Sequence, residues 1–189
     1  KQLREITFDN GMLRTSGGSV YRTLVVPQVK YMPLTTAETI LAFAEAGAQI
    51  IFMEKLPDAP SGYADLPEKT KRFGEIAERL RSMTGDEKVN DKSNVQSGGD
   101  LLQYLTSSGV ERETMFDIGV HCIRKKNTDD SFVYLIKNVT DLRYEGWLPL
   151  SKQAAAARLY DPMTGATGVA RVRNSSAATS VFVQLEPGQ

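Results

Sequence analysis

Two rhythms of apolar residues divide this chain. In the first part, short continuous apolar runs alternate with stretches whose apolar residues recur every three to four positions. Tyr21 to Val26 is such a run, closed by Pro27, and predicts a buried strand whose ladder stops at the proline. Ala37, Ile40, Leu41 and Ala44 then fall on one helical face. Thr35 and Glu38 form the T-x-x-E of a capping box at the start of that helix, and Gly47 is placed as its left-handed stop. From Gln49 to Met53 the chain is apolar on both faces, as expected of an interior strand in a parallel sheet covered by helices. Strand, helix and strand together predict a right-handed βαβ unit.

The helical rhythm returns in Phe73, Ile76, Ala77 and Leu80, with Glu75 placed to pair with Arg79 one turn on and Gly85 as the expected stop. Asp100 is the expected cap of a short third helix carrying Leu101, Tyr104 and Leu105, ended by Gly109. Between these helices the stretch EKVNDKSNVQSGG offers at most a weak strand near Val89 or Val95. An α/β sheet with two firm strands is poor in core, so the chain is expected to begin partway through a larger domain. The polar lead-in KQLREITFDNGMLRTSGGS would then enter from an upstream strand and helix.

From about Phe116 onward the helical spacing disappears. Val120 to Arg124 and Ser131 to Ile136 read as strands joined by a polar hairpin loop, Lys126 to Asp130. Leu148 and Leu150, Arg158 to Tyr160, Val169 to Val172 and Ser180 to Leu185 add further short strands. Turn chemistry separates them at Asp161-Pro162, Thr164-Gly165 and Asn174-Ser175-Ser176. The alanines from Ala154 to Ala157 are too few for a helix of their own. This spacing predicts an antiparallel sandwich or half-barrel. The expected organisation is α/β over residues 1–115 followed by all-β over residues 116–189.

Charge and rare residues narrow the chemistry. In 189 residues, 23 basic side chains balance 23 acidic ones, which leaves no general electrostatic footprint for nucleic acid. Apolar residues never run for the about 20 positions a membrane helix needs, and the charged start KQLREITFDN is unlike a signal peptide. Neither nucleic acid nor membrane is an expected partner. Cys122 is the lone cysteine, so no internal disulfide can form. His121 is the lone histidine, whereas metal sites and most acid and base pairs draw on several. Catalysis here would have to use carboxylates, hydroxyls or lysines, and no metal or other cofactor is expected.

Each candidate site has a simpler structural role beside it. Glu54 follows the interior strand at the carboxyl edge where open α/β sheets bind ligands, but no glycine-rich loop or nucleophile elbow accompanies it. Ser16-Gly17-Gly18-Ser19 resembles a phosphate cradle, yet it precedes a strand rather than a helix and reads better as a flexible connection. His121 and Cys122 are strand neighbours and point to opposite faces, so they cannot act as nucleophile and base. Asp129 and Asp130 sit at a hairpin tip without further ligands. Asn138-Val139-Thr140 and Asn174-Ser175-Ser176 match the glycosylation sequon, which matters only in a eukaryotic secretory context. In RLYDPMTGATG, Asp161 and Pro162 suit a type I turn and Gly165 the left-handed residue that returns the chain to Val169. Tyr144 and Trp147 are the most serious candidate, because sugars dock on flat exposed aromatic rings; the alternative is burial at the edge of the core.

The order of five blocks carries a family resemblance. GGSVYRTLVVPQVKYMPLTTAETILAFAEAGAQIIF, FDIGVHCIRKKNTDDSFVYLIKNVTD, GWLPL, LYDPMTGATGVARVR and VFVQLEPG follow one another between Leu13 and Gly188. Together they resemble the late part of α-L-rhamnosidase-like enzymes, glycoside hydrolase family 106 and its relatives. The resemblance implies a partial flavodoxin-like domain, related to those of some β-galactosidases and glutamine amidotransferases, then a small β-sandwich. In that family this segment follows a catalytic (β/α)8 barrel, which holds the catalytic carboxylates and a bound calcium. No position here matches them, and Cys122 lies away from any strand-to-helix elbow, so no catalytic residue carries over. The implied protein is a non-catalytic C-terminal fragment of an exported bacterial glycosidase that degrades polysaccharide, periplasmic or extracellular. Its implied partner is the barrel of the same polypeptide, outside these residues. A carbohydrate-binding module using Tyr144 and Trp147, with a glycan as partner, is the alternative. A role in subunit association alone is a third.

Overall fold

The computed structural model describes residues 2–84, 93–175 and 178–189, and divides between Val110 and Glu111 into two units. The first unit opens on a 3₁₀ turn and three strands, β1 (Thr7–Asp9), β2 (Met12–Arg14) and β3 (Val20–Tyr21), in an antiparallel meander. The lead-in expected as a polar connection is therefore a small sheet. Its second turn is the Ser16 to Ser19 stretch, where Gly18 takes a φ of 84° and the Thr15 amide donates to the Ser19 carbonyl. Strands of two or three residues hold too few alternating positions to announce themselves. Leu13 of β2 is nonetheless buried in the core of the unit.

The rest of the unit runs β4 (Thr23–Val26), β5 (Tyr31–Met32), α1 (Leu34–Glu45), β6 (Gln49–Phe52), β7 (Ala59–Pro60), α2 (Leu66–Ser82), β8 (Val95–Ser97) and α3 (Leu101–Ser107). β6 is the centre of a parallel sheet of order β4-β6-β8, with Ile51 opposite Val25 and Ile50 opposite Val95. Its Ile50, Ile51 and Phe52 are at most 1% exposed, which is why this run lacks polar alternation. β5 and β7 make a second, two-stranded parallel pair. Ala37, Ile40, Phe43 and Ala44 of α1 meet Phe73, Ile76 and Leu80 of α2 in one core with Phe52 and Val95. Burial of each large side chain there stabilises by roughly 1.5–3 kcal/mol.

Several local expectations fail for identifiable reasons. Helix α1 begins one residue before the T-x-x-E motif: the Pro33 carbonyl accepts from the amides of Thr36 and Ala37 at 2.9 and 3.1 Å. Thr35 instead accepts from Arg4 at 2.5 Å, and Glu38 pairs with Arg72 of α2 at 2.7 Å. Arg79 likewise bonds Glu45 of α1 rather than Glu75. In both cases a partner on the facing helix is preferred to the local one. The weak strand near Val95 is real and parallel to β6. Val89 and Gly85 lie outside the described residues, and α2 ends earlier, with Met83 as its cap. The Asp100 carboxylate caps α3 by accepting from the Leu102 amide at 2.8 Å, and Gly109 follows at a φ of 72°.

The second unit is antiparallel throughout. After a 3₁₀ turn come β9 (Val120–Lys126), β10 (Phe132–Asn138), β11 (Tyr144–Leu150), β12 (Arg158–Tyr160), β13 (Thr167–Val169), β14 (Val172–Asn174) and β15 (Thr179–Leu185). They form three small sheets: β9-β10, β11-β15-β14 and β12-β13. Gly119 precedes β9 with a φ of 73°, and a Cβ there would fall 2.3 Å from Thr140 Cγ2. The run Val169 to Val172 is two strands instead of one. Ala170 bonds back to the Ala157 carbonyl while the Phe182 amide bonds Arg171, so the chain leaves one sheet for the next at this point. Val120, Leu148, Val181, Val183 and Leu185 form the core, and Cys122, Tyr134 and Ile136 of the β9-β10 hairpin pack against it.

Candidate functional site

Strand parity decides what Tyr144 and Trp147 can do together. They stand three positions apart on β11, whose register against β15 is unbroken, so they leave opposite faces of the sheet. Tyr144 turns inward against the core with Leu148 and Leu150. Its hydroxyl donates to the Trp147 carbonyl at 3.2 Å, and burial raises its phenol above the ordinary value. Trp147 stands outward, half-buried, edge-on to Phe182 of β15 with ring centroids 5.5 Å apart. The two rings therefore do not form one sugar platform.

Trp147 has other company. Val172 faces the core, so its neighbours Arg171 and Arg173 emerge on the outer face. The Arg173 guanidinium carbon lies 3.8 Å from the indole centroid, and that of Arg171 lies 3.9 Å from the Phe182 ring centroid. Arg171 is also 5.9 Å from the indole. Neither arginine forms an ion pair among the described residues. The alternation Arg171-Val172-Arg173 was the available sequence signal, but its meaning depends on which strand lies alongside.

The other unforeseen cluster surrounds Glu113, which is 8% exposed. Its carboxylate accepts from the Ser151 amide at 2.9 Å, the Ser151 hydroxyl at 2.6 Å and the Tyr134 hydroxyl at 3.0 Å, and pairs with Arg124. Burial opposes ionisation, but Ser151, Tyr134 and Arg124 together outweigh it and hold Glu113 below the ordinary glutamate value. A carboxylate so engaged keeps its negative charge and has no proton to give. Its partners lie 11 to 38 positions away in sequence, beyond the reach of any local motif.

The remaining candidates stay apart. Glu54 is exposed just beyond β6. Cys122 packs toward the core, where burial raises its thiol, while His121 lies on the opposite face with its ring 4.9 Å from Phe116. Asp129 accepts from the Ser131 amide and hydroxyl, and Asp130 pairs with Lys126. Asp161 accepts from the Met163 amide at 2.9 Å and the Thr164 hydroxyl at 2.7 Å, with Gly165 at a φ of 74°, so the middle of RLYDPMTGATG is a turn joining β12 to β13. Asn138 is 1% exposed and its Nδ2 donates to the carbonyls of Leu142, Leu185 and Glu186, which closes that sequon to modification. Asn174 accepts from Thr179, and Ser176 of the second sequon lies outside the described residues. Among the described residues no three metal-ligating side chains gather, and no helix is long and apolar enough to cross a membrane.

No model of a known protein family matches the sequence, and no curated protein matches it. Among solved structures the chain is similar to a rhamnosidase from Novosphingobium sp. PP1Y, with a TM-score of 0.79 at 18% sequence identity. The match covers 97% of this chain and 18% of that one, so the chain spans less than a fifth of its neighbour's length. At that identity the likeness is one of fold.

Proposed function

We propose that this chain is a non-catalytic region of an α-L-rhamnosidase-like glycoside hydrolase. In this reading, a flavodoxin-like first unit and a β-sandwich second unit support a catalytic barrel carried on the same polypeptide. The observation that carries it is the fold match, 97% of this chain against 18% of a rhamnosidase chain, which leaves most of that protein for the chemistry. Glu113 supports the non-catalytic part, because a buried carboxylate filled by four donors has no room to serve as a general acid. An apolar row on the outer face of the β9-β10 hairpin, with Ile123 71% and Leu135 58% exposed, supplies a surface suited to a partner domain. The host protein is read as an exported bacterial enzyme acting on polysaccharide in the periplasm or outside the cell. Purified chain incubated with aryl α-L-rhamnosides is expected to give no turnover. Hydrolysis that survives purification overturns this reading.

A second reading is favoured by the outer face around Trp147. A half-exposed indole flanked by two ordered guanidinium groups is a surface that a saccharide can use.

A further inference from the structure

We infer that Arg171 and Arg173, held against Phe182 and Trp147, form a binding site for an acidic saccharide, a uronate carboxylate docking on the guanidinium edges. The sheet builds the site row by row. Arg171 lies across from Phe182, whose amide bonds its carbonyl, and Phe182 lies across from Trp147. Arg173 sits opposite Ser180 and reaches diagonally over β15 to the indole. Each guanidinium carbon lies 3.9 or 3.8 Å from a ring centroid, so the group packs on an aromatic ring and keeps its N–H donors for a ligand. Stacking removes much of the side-chain freedom that an arginine would lose on binding an anion, so the cost of ordering is partly met before the ligand arrives.

Charge is arranged to match. Glu145 shares the outer face of β11, but it pairs with Arg143 at 3.2 Å. Neither Arg171 nor Arg173 has a carboxylate partner among the described residues, and both are exposed. Two cations two residues apart at the start of β14 suit one or two carboxylates; they are too few for the phosphate track of a nucleic acid, on a chain whose charges sum to zero. The half-exposed indole beside them offers an apolar surface to the sugar ring. That the carboxylate belongs to a saccharide rests on the glycosidase reading above, whereas the anion site itself rests on the sheet geometry.

Trp147 is the chain's single tryptophan, so its fluorescence reports directly on this face. Titration with trigalacturonate is expected to change the emission saturably, and its methyl ester, the same sugar without charge, to bind at least tenfold more weakly. Arg173→Gln and Arg171→Gln are each expected to weaken trigalacturonate binding about tenfold, with an unchanged circular dichroism spectrum. Lys126→Gln, in the β9-β10 hairpin of the same unit, should bind as the parent does. Equal binding of ester and acid, or full binding by both arginine variants, overturns the site. Triglutamate binding as tightly as trigalacturonate overturns its assignment to a saccharide. Because the rhamnoside assay does not involve this face, a failure here is distinguishable from a failure of the glycosidase reading.

Discussion

The two units of this chain keep their folds by different means. In the first, order comes mainly from apolar surfaces: α1 and α2 cover β6, and no polar residue among those described is buried whole, although the Thr23 Oγ1 and Gln96 Oε1 atoms are enclosed and Asn94 donates to the carbonyls of Ala44 and Ala48. In the second, Glu113, Asn138 and Thr179 are all buried, and each ties irregular chain to strand. Glu113 joins the segment before β9 to Ser151 just after β11. Asn138 ties the end of β10 to the chain on either side of β11 and β15, and Thr179 accepts from Ala154 while donating to Asn174. Small sheets with long connections leave many backbone groups to satisfy, and polar side chains at the junctions satisfy them. The lesson is that a helix-covered parallel sheet can rest mainly on periodic burial, whereas a patchwork of short antiparallel sheets leans more heavily on fixed polar junctions.

The largest expected effect lies in the first unit. Phe52→Ala should cost about 4 kcal/mol, read as loss of helical circular dichroism at lower denaturant, because the side chain is 1% exposed. Asn138→Ala should cost about 3 kcal/mol in the second unit and shift the Trp147 fluorescence transition, since it strands the carbonyls of Leu185 and Glu186. Glu113→Gln should cost about 2 kcal/mol by the same probe, less than Asn138 because the isosteric amide keeps part of the network. Gly165→Val comes next, at roughly 1–2 kcal/mol, by forcing a φ of 74° on a branched residue in an exposed turn. Leu135→Lys should change stability by less than about 0.5 kcal/mol, yet, if the proposed barrel partner exists, weaken attachment to it, measured by limited proteolysis of a protein carrying both.

What was legible in the sequence follows the same division. The spacing of Ile40, Phe73, Ile76 and Leu80 and the unbroken run Ile50 to Phe52 identified the first core, because burial on a helix or an interior strand repeats locally. The β9-β10 hairpin and the Asp161 turn were legible for a related reason, their signals being contained within a few residues. The Thr7 to Tyr21 meander was not, since its strands are too short for a period. Nor were the ion pairs of Glu38 and Arg79, whose partners come from the opposing helix. Tyr144 and Trp147 read together as a candidate sugar surface, whereas both lie on β11 and their spacing of three separates them across the sheet. Arg171 and Arg173 acquire meaning only from β15, which places Phe182 beneath one and brings Trp147 within reach of the other.

Acid separates the two units most directly. Glu113 titrates below its ordinary value in the folded chain, so its contribution is present in full above the unfolded value of 4.5 and is lost as pH falls through the lower folded one. The first unit's ion pairs, Glu38 with Arg72 and Glu45 with Arg79, are largely solvent-exposed and add little to its stability. Denaturant unfolding at pH 7 and again at pH 3, followed by Trp147 fluorescence for the second unit and by helical circular dichroism for the first, tests the contrast. The fluorescence transition is expected to move to clearly lower denaturant at pH 3 while the helical transition moves much less, with Glu113→Gln removing most of the difference. Equal movement of both transitions, or an acid shift unchanged in Glu113→Gln, would contradict it.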